Sequence, residues 1–114
     1  MFHQDIPENF LLSCDDGDWR LSGLIDFGDV MTGRAEYDLL GPSAFMTAGM
    51  PGRVRSLLRG FGYSSAKFDF TSKRRLMALL LLHRFSDPIR HICIDGWQDK
   101  ASDLTELQEL LWPN

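Results

Sequence analysis

The chain has 114 residues, of which 44% are hydrophobic and 25% are charged, as expected for one soluble globular domain. Sixteen acidic residues against twelve basic ones give a formal net charge of −4, which argues against nucleic acid or an anionic membrane as the main partner. We expect a cytoplasmic protein. The sequence does not begin with a signal peptide, and its longest apolar run, residues 76–82, is too short to span a bilayer. Its two cysteines lie far apart without the spacing of metal ligands, which favours reduced thiols.

The first predicted element is a β-hairpin that follows a short polar loop at residues 3–9. Residues 10–13 are apolar enough for a strand, and residues 14–18 have turn chemistry, with Gly17 free to adopt a positive φ. From Trp19 to Asp26 apolar and polar residues alternate, which is typical of a returning strand. The pattern predicts a hairpin with a five-residue loop, which must pack on other elements because an isolated hairpin is marginally stable.

The rest of the chain, residues 31–114, shows helical periodicity and is predicted to form about four helices. The first is interrupted near Gly41 and Pro42, and the second begins at Pro51 and ends near Gly62. The third is expected from about residue 71 to residue 85, and the last spans residues 103–112 behind a capping box formed by Asp103 and Glu106. We therefore expect one α+β, mainly α, domain in which the hairpin packs on a helical bundle.

Three short segments carry the residues that could perform chemistry: residues 3–9, residues 24–29 and residues 36–40. The predicted hairpin would bring its two ends together, so that Asp5, Asn9 and Asp26 converge. Carboxylate and amide oxygens are hard ligands that suit Mg²⁺ carrying substrate phosphates. One carboxylate would be left to take a hydroxyl proton, which completes a minimal set for phosphoryl transfer.

These segments resemble motifs of the aminoglycoside phosphotransferase and choline kinase-like family. His3-Gln4-Asp5 with Asn9 is similar to the catalytic loop His-x-Asp-x-x-x-x-Asn, Ile25-Asp26-Phe27-Gly28-Asp29 to the metal-binding turn, and Tyr37-Asp38-Leu39 to the motif that follows. The resemblance covers essentially the whole chain but only the last part of the family's kinase-like C-terminal lobe.

The resemblance implies an ATP-dependent kinase that phosphorylates a hydroxyl of an aminoglycoside, amino alcohol or sugar-like molecule, with Mg²⁺ as cofactor. It makes Asp5 the catalytic base, and it makes Asn9 and Asp26 the metal ligands. His3 would brace the catalytic loop. The remaining two positions that it assigns are Asp29, beside the metal turn, and Asp38, which ties its helix to the catalytic loop.

The chain departs from the family pattern in two respects. Three residues rather than four separate Asp5 from Asn9, and the sequence contains neither the glycine-rich turn nor the strand lysine that position ATP. We therefore expect a fragment of the C-lobe that is inactive alone.

The alternative hypothesis is a non-catalytic interaction or oligomerisation module with the same fold. The segment at residues 76–82 is apolar all the way round, so it must be buried on every side or lie in an interface with a missing lobe or another copy.

Overall fold

A computed structural model describes residues 9–28, 32–64, 67–83 and 86–113. Strands β1 (Phe10–Asp15) and β2 (Asp18–Leu24) come first, followed by a 3₁₀-helix at Ala35–Leu39 and a π-helical turn at Pro42–Met46. The α-helices then follow in chain order: α1 (Pro51–Phe61), α2 (Phe70–Leu82), α3 (Pro88–His91), α4 (Trp97–Lys100) and α5 (Leu104–Leu111). The expected mixture of a hairpin and several helices is confirmed.

The hairpin turns on two residues, Asp16 and Gly17, and not on the five-residue loop that the sequence predicts. Both have positive φ, 48° and 87° respectively, as in the type I′ turns that Asp-Gly favours. The predicted loop was too long because Cys14 pairs with Trp19 and Asp15 with Asp18, which extends both strands to the turn. A two-residue connection fits the right-handed twist of paired strands, so the turn also fixes their register.

The expectation that the hairpin packs on the helices does not hold for the described residues. Asn9, which precedes β1, is buried, but every residue of β1 is exposed and every residue of β2 is exposed except half-buried Gly23. Trp19, for example, keeps 70% of its surface exposed. The reason is that the hydrophobic core is built almost entirely from the helical part of the chain.

That core lies among the 3₁₀-helix, the π-helical turn and helices α1, α2 and α5. Helix α2 packs against α5 and the 3₁₀-helix, whereas α1 packs against the π-helical turn. The least exposed apolar side chains come from all of these elements: Leu39, Leu40, Ala44, Val54, Leu76, Leu80, Leu111 and Trp112. Burial of these side chains is the main stabilising term for the helical part.

Two linked hydrogen bonds inside this core connect the end of the chain to the 3₁₀-helix. The indole N–H of Trp112 donates to Ser43 Oγ at 2.9 Å, and Ser43 Oγ donates to the carbonyl of Leu39 at 2.6 Å. The predicted interruption at Gly41 and Pro42 is confirmed as the junction between the 3₁₀-helix and the π-helical turn. The Ser43 bond supplies a donor to a carbonyl near that break, where the regular helix hydrogen bonds are lost.

The apolar segment at residues 76–82 lies on α2 but is buried on one side only. Leu76, Met77 and Leu80 are buried, while Leu81 and Leu82 are 51% and 80% exposed. Part of the segment is therefore uncovered in this chain, where α5 and the 3₁₀-helix contact α2. In the described part of the chain, no helix combines the length and the apolar character that crossing a bilayer requires.

Candidate functional site

The open end of the hairpin brings together two of the residues that the sequence analysis selected. The backbone N–H of Ile25 donates to the carbonyl of Asn9 at 3.0 Å, one step beyond the pair formed by Phe10 and Leu24. Asp26 directly follows Ile25, so Asn9 and Asp26 lie at the same end of the two paired strands. The convergence of their side chains on a metal stays a prediction.

Asn9 is buried although it immediately precedes an exposed strand. It is 6% exposed, and its side-chain nitrogen Nδ2 is buried without a hydrogen-bond partner among the described residues. A buried amide atom with no partner is costly, on the order of 1–3 kcal/mol. Rotating the amide by 180° exchanges its nitrogen and oxygen, so the same buried position can present an oxygen to a cation.

Asp26 is exposed and adopts φ 64°, in the left-handed region. Aspartate tolerates this region better than most residues other than glycine, but it is still uncommon. The left-handed residue ends the extended course of β2 and redirects the chain into Phe27 and Gly28. The carboxylate lies close to the next glycine, because a Cβ placed on Gly28 would be 3.6 Å from Asp26 Oδ1.

Three of the selected residues, His3, Asp5 and Asp29, lie outside the described residues. The convergence of Asp5 with Asn9 and Asp26 therefore stays a prediction. The described portion contains no group of three or more His, Cys, Asp and Glu residues arranged to hold a metal ion. The two placed residues, an amide and a carboxylate, nevertheless have the oxygen chemistry that Mg²⁺ prefers.

Asp38 is an exposed residue of the 3₁₀-helix and lines an open cavity of about 290 Å³. The cavity lies between the 3₁₀-helix, the segment before it and α2, and its walls are Thr32, Gly33, Arg34, Ala35, Tyr37, Asp38 and Leu79. The proposed tie between Asp38 and the catalytic loop is untested, because that loop is not among the described residues.

A charged group next to this cavity was missed by the sequence analysis. Glu36 Oε1 lies 3.4 Å from the guanidinium groups of both Arg34 and Arg75. A hydrogen bond from the backbone and the two guanidinium groups lower the pKa of the Glu36 carboxyl, against the opposing effect of desolvation. The spacing of Arg34 and Glu36 is a local signal, whereas nothing local links Glu36 to Arg75.

One aromatic contact and one nearby phenol connect the same region to its surroundings. The ring of Tyr37 stacks on that of His83 with centroids 4.7 Å apart, which joins the 3₁₀-helix to the end of α2. Tyr63 is half-buried, and burial together with the nearby Glu36 carboxylate raises the pKa of its phenol. The segment at residues 34–38 is therefore fixed to α2 through both its charged and its aromatic side chains.

A comparison with known protein families identifies the family of this chain. The phosphotransferase enzyme family matches residues 2–76, about two thirds of the chain, and this range contains all three motifs. The chain therefore belongs to the phosphotransferase enzyme family, which confirms the resemblance. The match ends within α2, short of the nearly complete extent that the motifs suggested. Searches of curated proteins and of solved structures found no match.

Membership of this family indicates that the protein is a phosphotransferase. Enzymes of this family generally use ATP and a divalent metal and act on small molecules. The hairpin end with Asn9 and Asp26 lies within the matched range, and so does the cavity-lining segment around Asp38.

Proposed function

We propose that the protein transfers the terminal phosphoryl group of ATP to a hydroxyl of a small molecule of the aminoglycoside, amino alcohol or sugar type. The observation that carries the proposal is the 3.0 Å hydrogen bond between Asn9 and Ile25. It pairs the backbone of Asn9 with that of Ile25, the residue before Asp26, within the residues that match the family. Carboxylate and amide oxygens are ligands that suit a phosphate-bound Mg²⁺.

Asn9 and Asp26 are the proposed metal ligands, and Asp5 is the proposed base for the acceptor hydroxyl. The metal, when bound, would neutralise the charge of the ATP phosphates. Asp5 would accept the proton of the hydroxyl, His3 would brace its loop, and the remaining carboxylates, Asp29 and Asp38, would support the turn and the helix behind it.

Phosphoryl transfer depends almost entirely on positioning and electrostatic stabilisation. These 114 residues include no glycine-rich turn and no strand lysine of the kind that orient ATP. We therefore propose that this chain supplies one half of the catalytic site, and that by itself it turns over little or no substrate.

A non-catalytic interaction module is the second candidate. The observation in its favour is the end of α2, where Leu81 and Leu82 are 51% and 80% exposed. This candidate predicts no affinity for a metal–nucleotide complex at the hairpin end.

The decisive experiment is a titration of the chain with ATP and Mn²⁺ in place of Mg²⁺, followed by amide NMR. Paramagnetic broadening should be strongest at Asn9, Ile25 and Asp26. Asp26→Asn should abolish it, because the substitution removes one anionic ligand. The matched control is Asp18→Asn, the same change beside the turn at the far end of the hairpin, which should leave the broadening intact. Equal broadening in all three proteins, or none at millimolar nucleotide, would reject the metal role of this end.

A further inference from the structure

Helix α3 begins with a capping arrangement in which a histidine occupies the role that a glutamate usually has. Asp87 is the N-cap residue, and its side chain accepts from the backbone N–H of Arg90 at 3.4 Å. In return, the backbone N–H of Asp87 donates to Nδ1 of His91 at 3.2 Å. In an ordinary capping box the returning acceptor is the side chain of a Glu or Gln. Here it is an imidazole, which is able to change its charge near neutral pH.

This pair of hydrogen bonds matters because α3 is very short. The helix spans four residues, Pro88–His91, and a helix of that length is not stable by itself in water. Backbone hydrogen bonds to the carbonyls of Asp87 and Pro88 complete the turn. The two side-chain bonds of the cap are therefore a large share of the interactions that define α3.

The hydrogen bond from Asp87 determines the state of the His91 ring. A ring nitrogen that accepts a hydrogen bond carries no proton, so the imidazole is neutral and has its proton on Nε2. The half-buried ring also makes an edge-to-face contact with Phe45 of the π-helical turn, with the centroids 5.2 Å apart. The ring is thus held between its own turn and a neighbouring element.

The charged groups of this turn, among the described residues, are Asp87 and Arg90, which form an ion pair at 3.5 Å. Phe45 contacts the ring from another element and has no charge, and the thiol of Cys93 donates to the backbone carbonyl of His91 rather than to its ring. Protonation would turn Nδ1 from an acceptor into a donor, which would face the N–H of Asp87. Two donors cannot bond to each other, so the returning half of the cap would be lost.

We propose that α3 is a proton-sensitive turn, in which protonation of His91 breaks the cap and loosens residues 86–92. Histidine ordinarily changes its charge between pH 5 and pH 8, whereas a glutamate at this position would remain an acceptor throughout that range. Ile92, directly after the turn, is buried, so the loosening would reach the edge of the core. The proposal is independent of the phosphotransferase function, because these residues lie outside the range that matches the family.

The test is amide hydrogen exchange of the chain by NMR, expressed as protection relative to the unstructured rate. Protection of the Asp87 amide should fall about fivefold between pH 8 and pH 5, as expected for the loss of one capping interaction. The internal control is the amide of Glu106, which donates to the N-cap residue Asp103 of α5 without help from a histidine. Its protection should stay constant over the same range.

Two variants of His91 separate the proton from the hydrogen bond. His91→Asn places an oxygen as many bonds from the backbone as Nδ1 and does not titrate, so the Asp87 amide should remain protected at both pH values. His91→Leu removes the acceptor, so protection should be low at both. Constant protection in the original chain would overturn the proposal, and so would a fall with pH that persists in His91→Asn.

A second measurement needs no substitution. Long-range proton–nitrogen NMR of the imidazole ring should show the neutral form with its proton on Nε2 at pH 8. A ring with its proton on Nδ1 could not accept from Asp87, and that result would also overturn the proposal.

Discussion

Glu36 shows how one carboxylate fastens the segment beside the cavity to helix α2. Its side chain is 15% exposed and touches Arg34 in its own segment and Arg75 on α2. The backbone hydrogen bond and both guanidinium groups favour the ionised form, and so they lower the pKa of Glu36. The folded state therefore binds this proton less readily than the unfolded chain does.

We predict that Glu36→Gln lowers the free energy of unfolding at neutral pH by about 0.5–1 kcal/mol, since both arginines are partly exposed. A carboxyl whose pKa is lowered on folding stabilises the protein above its unfolded pKa, near the ordinary 4.5, and loses that effect as the pH falls through its folded value. Urea unfolding from pH 7 to pH 3 should show the difference between the two proteins disappearing in acid.

The same measurement in molar salt is the control, because screening should shrink the difference at neutral pH. A difference that stays constant down to pH 3 would show that the lost stability has another origin, such as altered packing.

At the scale of elements, the ends of the helices are set by short-range chemistry that the sequence displays. Asp69 caps α2 by accepting from the backbone N–H of Ser72, and Asp103 caps α5 by accepting from those of Thr105 and Glu106. The predicted capping box at α5 is half correct. Glu106 does not return to Asp103 but accepts from the backbone and the hydroxyl of Ser102 at 2.7 Å.

We predict that Asp103→Ala lowers the unfolding free energy by about 1 kcal/mol, because two amide groups of the first turn lose their acceptor. Asp103→Asn is the matched control: asparagine caps nearly as well, so its loss should be a small fraction of that of alanine. Urea denaturation followed by circular dichroism measures both. Equal losses in the two variants would show that the negative charge at the helix start matters more than the hydrogen bonds.

The hairpin is the element whose local structure the sequence specified best and whose environment it specified worst. An apolar run predicted β1 and alternation predicted β2, while Asp16-Gly17 is a strong signal for the two-residue turn that the five-residue prediction overlooked. The requirement for helical cover came from the low stability of isolated hairpins. That requirement does not say which surface provides the cover, and the described helices leave both strands largely exposed.

At the scale of the whole molecule, a buried ion pair joins α2 to α5. Lys73 is 1% exposed, and its ammonium group contacts the half-exposed carboxylate of Glu109. Charged groups are seldom buried without a partner, because leaving water is costly. The pair therefore fixes which faces of the two helices meet.

We predict an asymmetry between the two partners. Glu109→Gln should lower the unfolding free energy by roughly 1–3 kcal/mol, because it leaves the buried ammonium without its carboxylate. Lys73→Met keeps the apolar stem and should change stability by less than about 1 kcal/mol.

The double variant Lys73→Met/Glu109→Gln completes the cycle, and in it the cost of Glu109→Gln should vanish. Thermal or urea unfolding measures all three proteins. If Glu109→Gln were as mild as Lys73→Met, water would have to reach the ammonium group in spite of its burial.

The sequence by itself determined what depends on residues close together in the chain: the hairpin, the caps, the break at Gly41 and Pro42, and the motifs that gave the family. Those features follow from turn conformation and local hydrogen bonds, which a few neighbouring residues specify. Only the tertiary structure decided that Lys73 is buried, that Arg75 meets Glu36, and that the apolar side chains of the hairpin are exposed to solvent. These depend on which distant segments meet, and burial is a property of that packing rather than of any single segment.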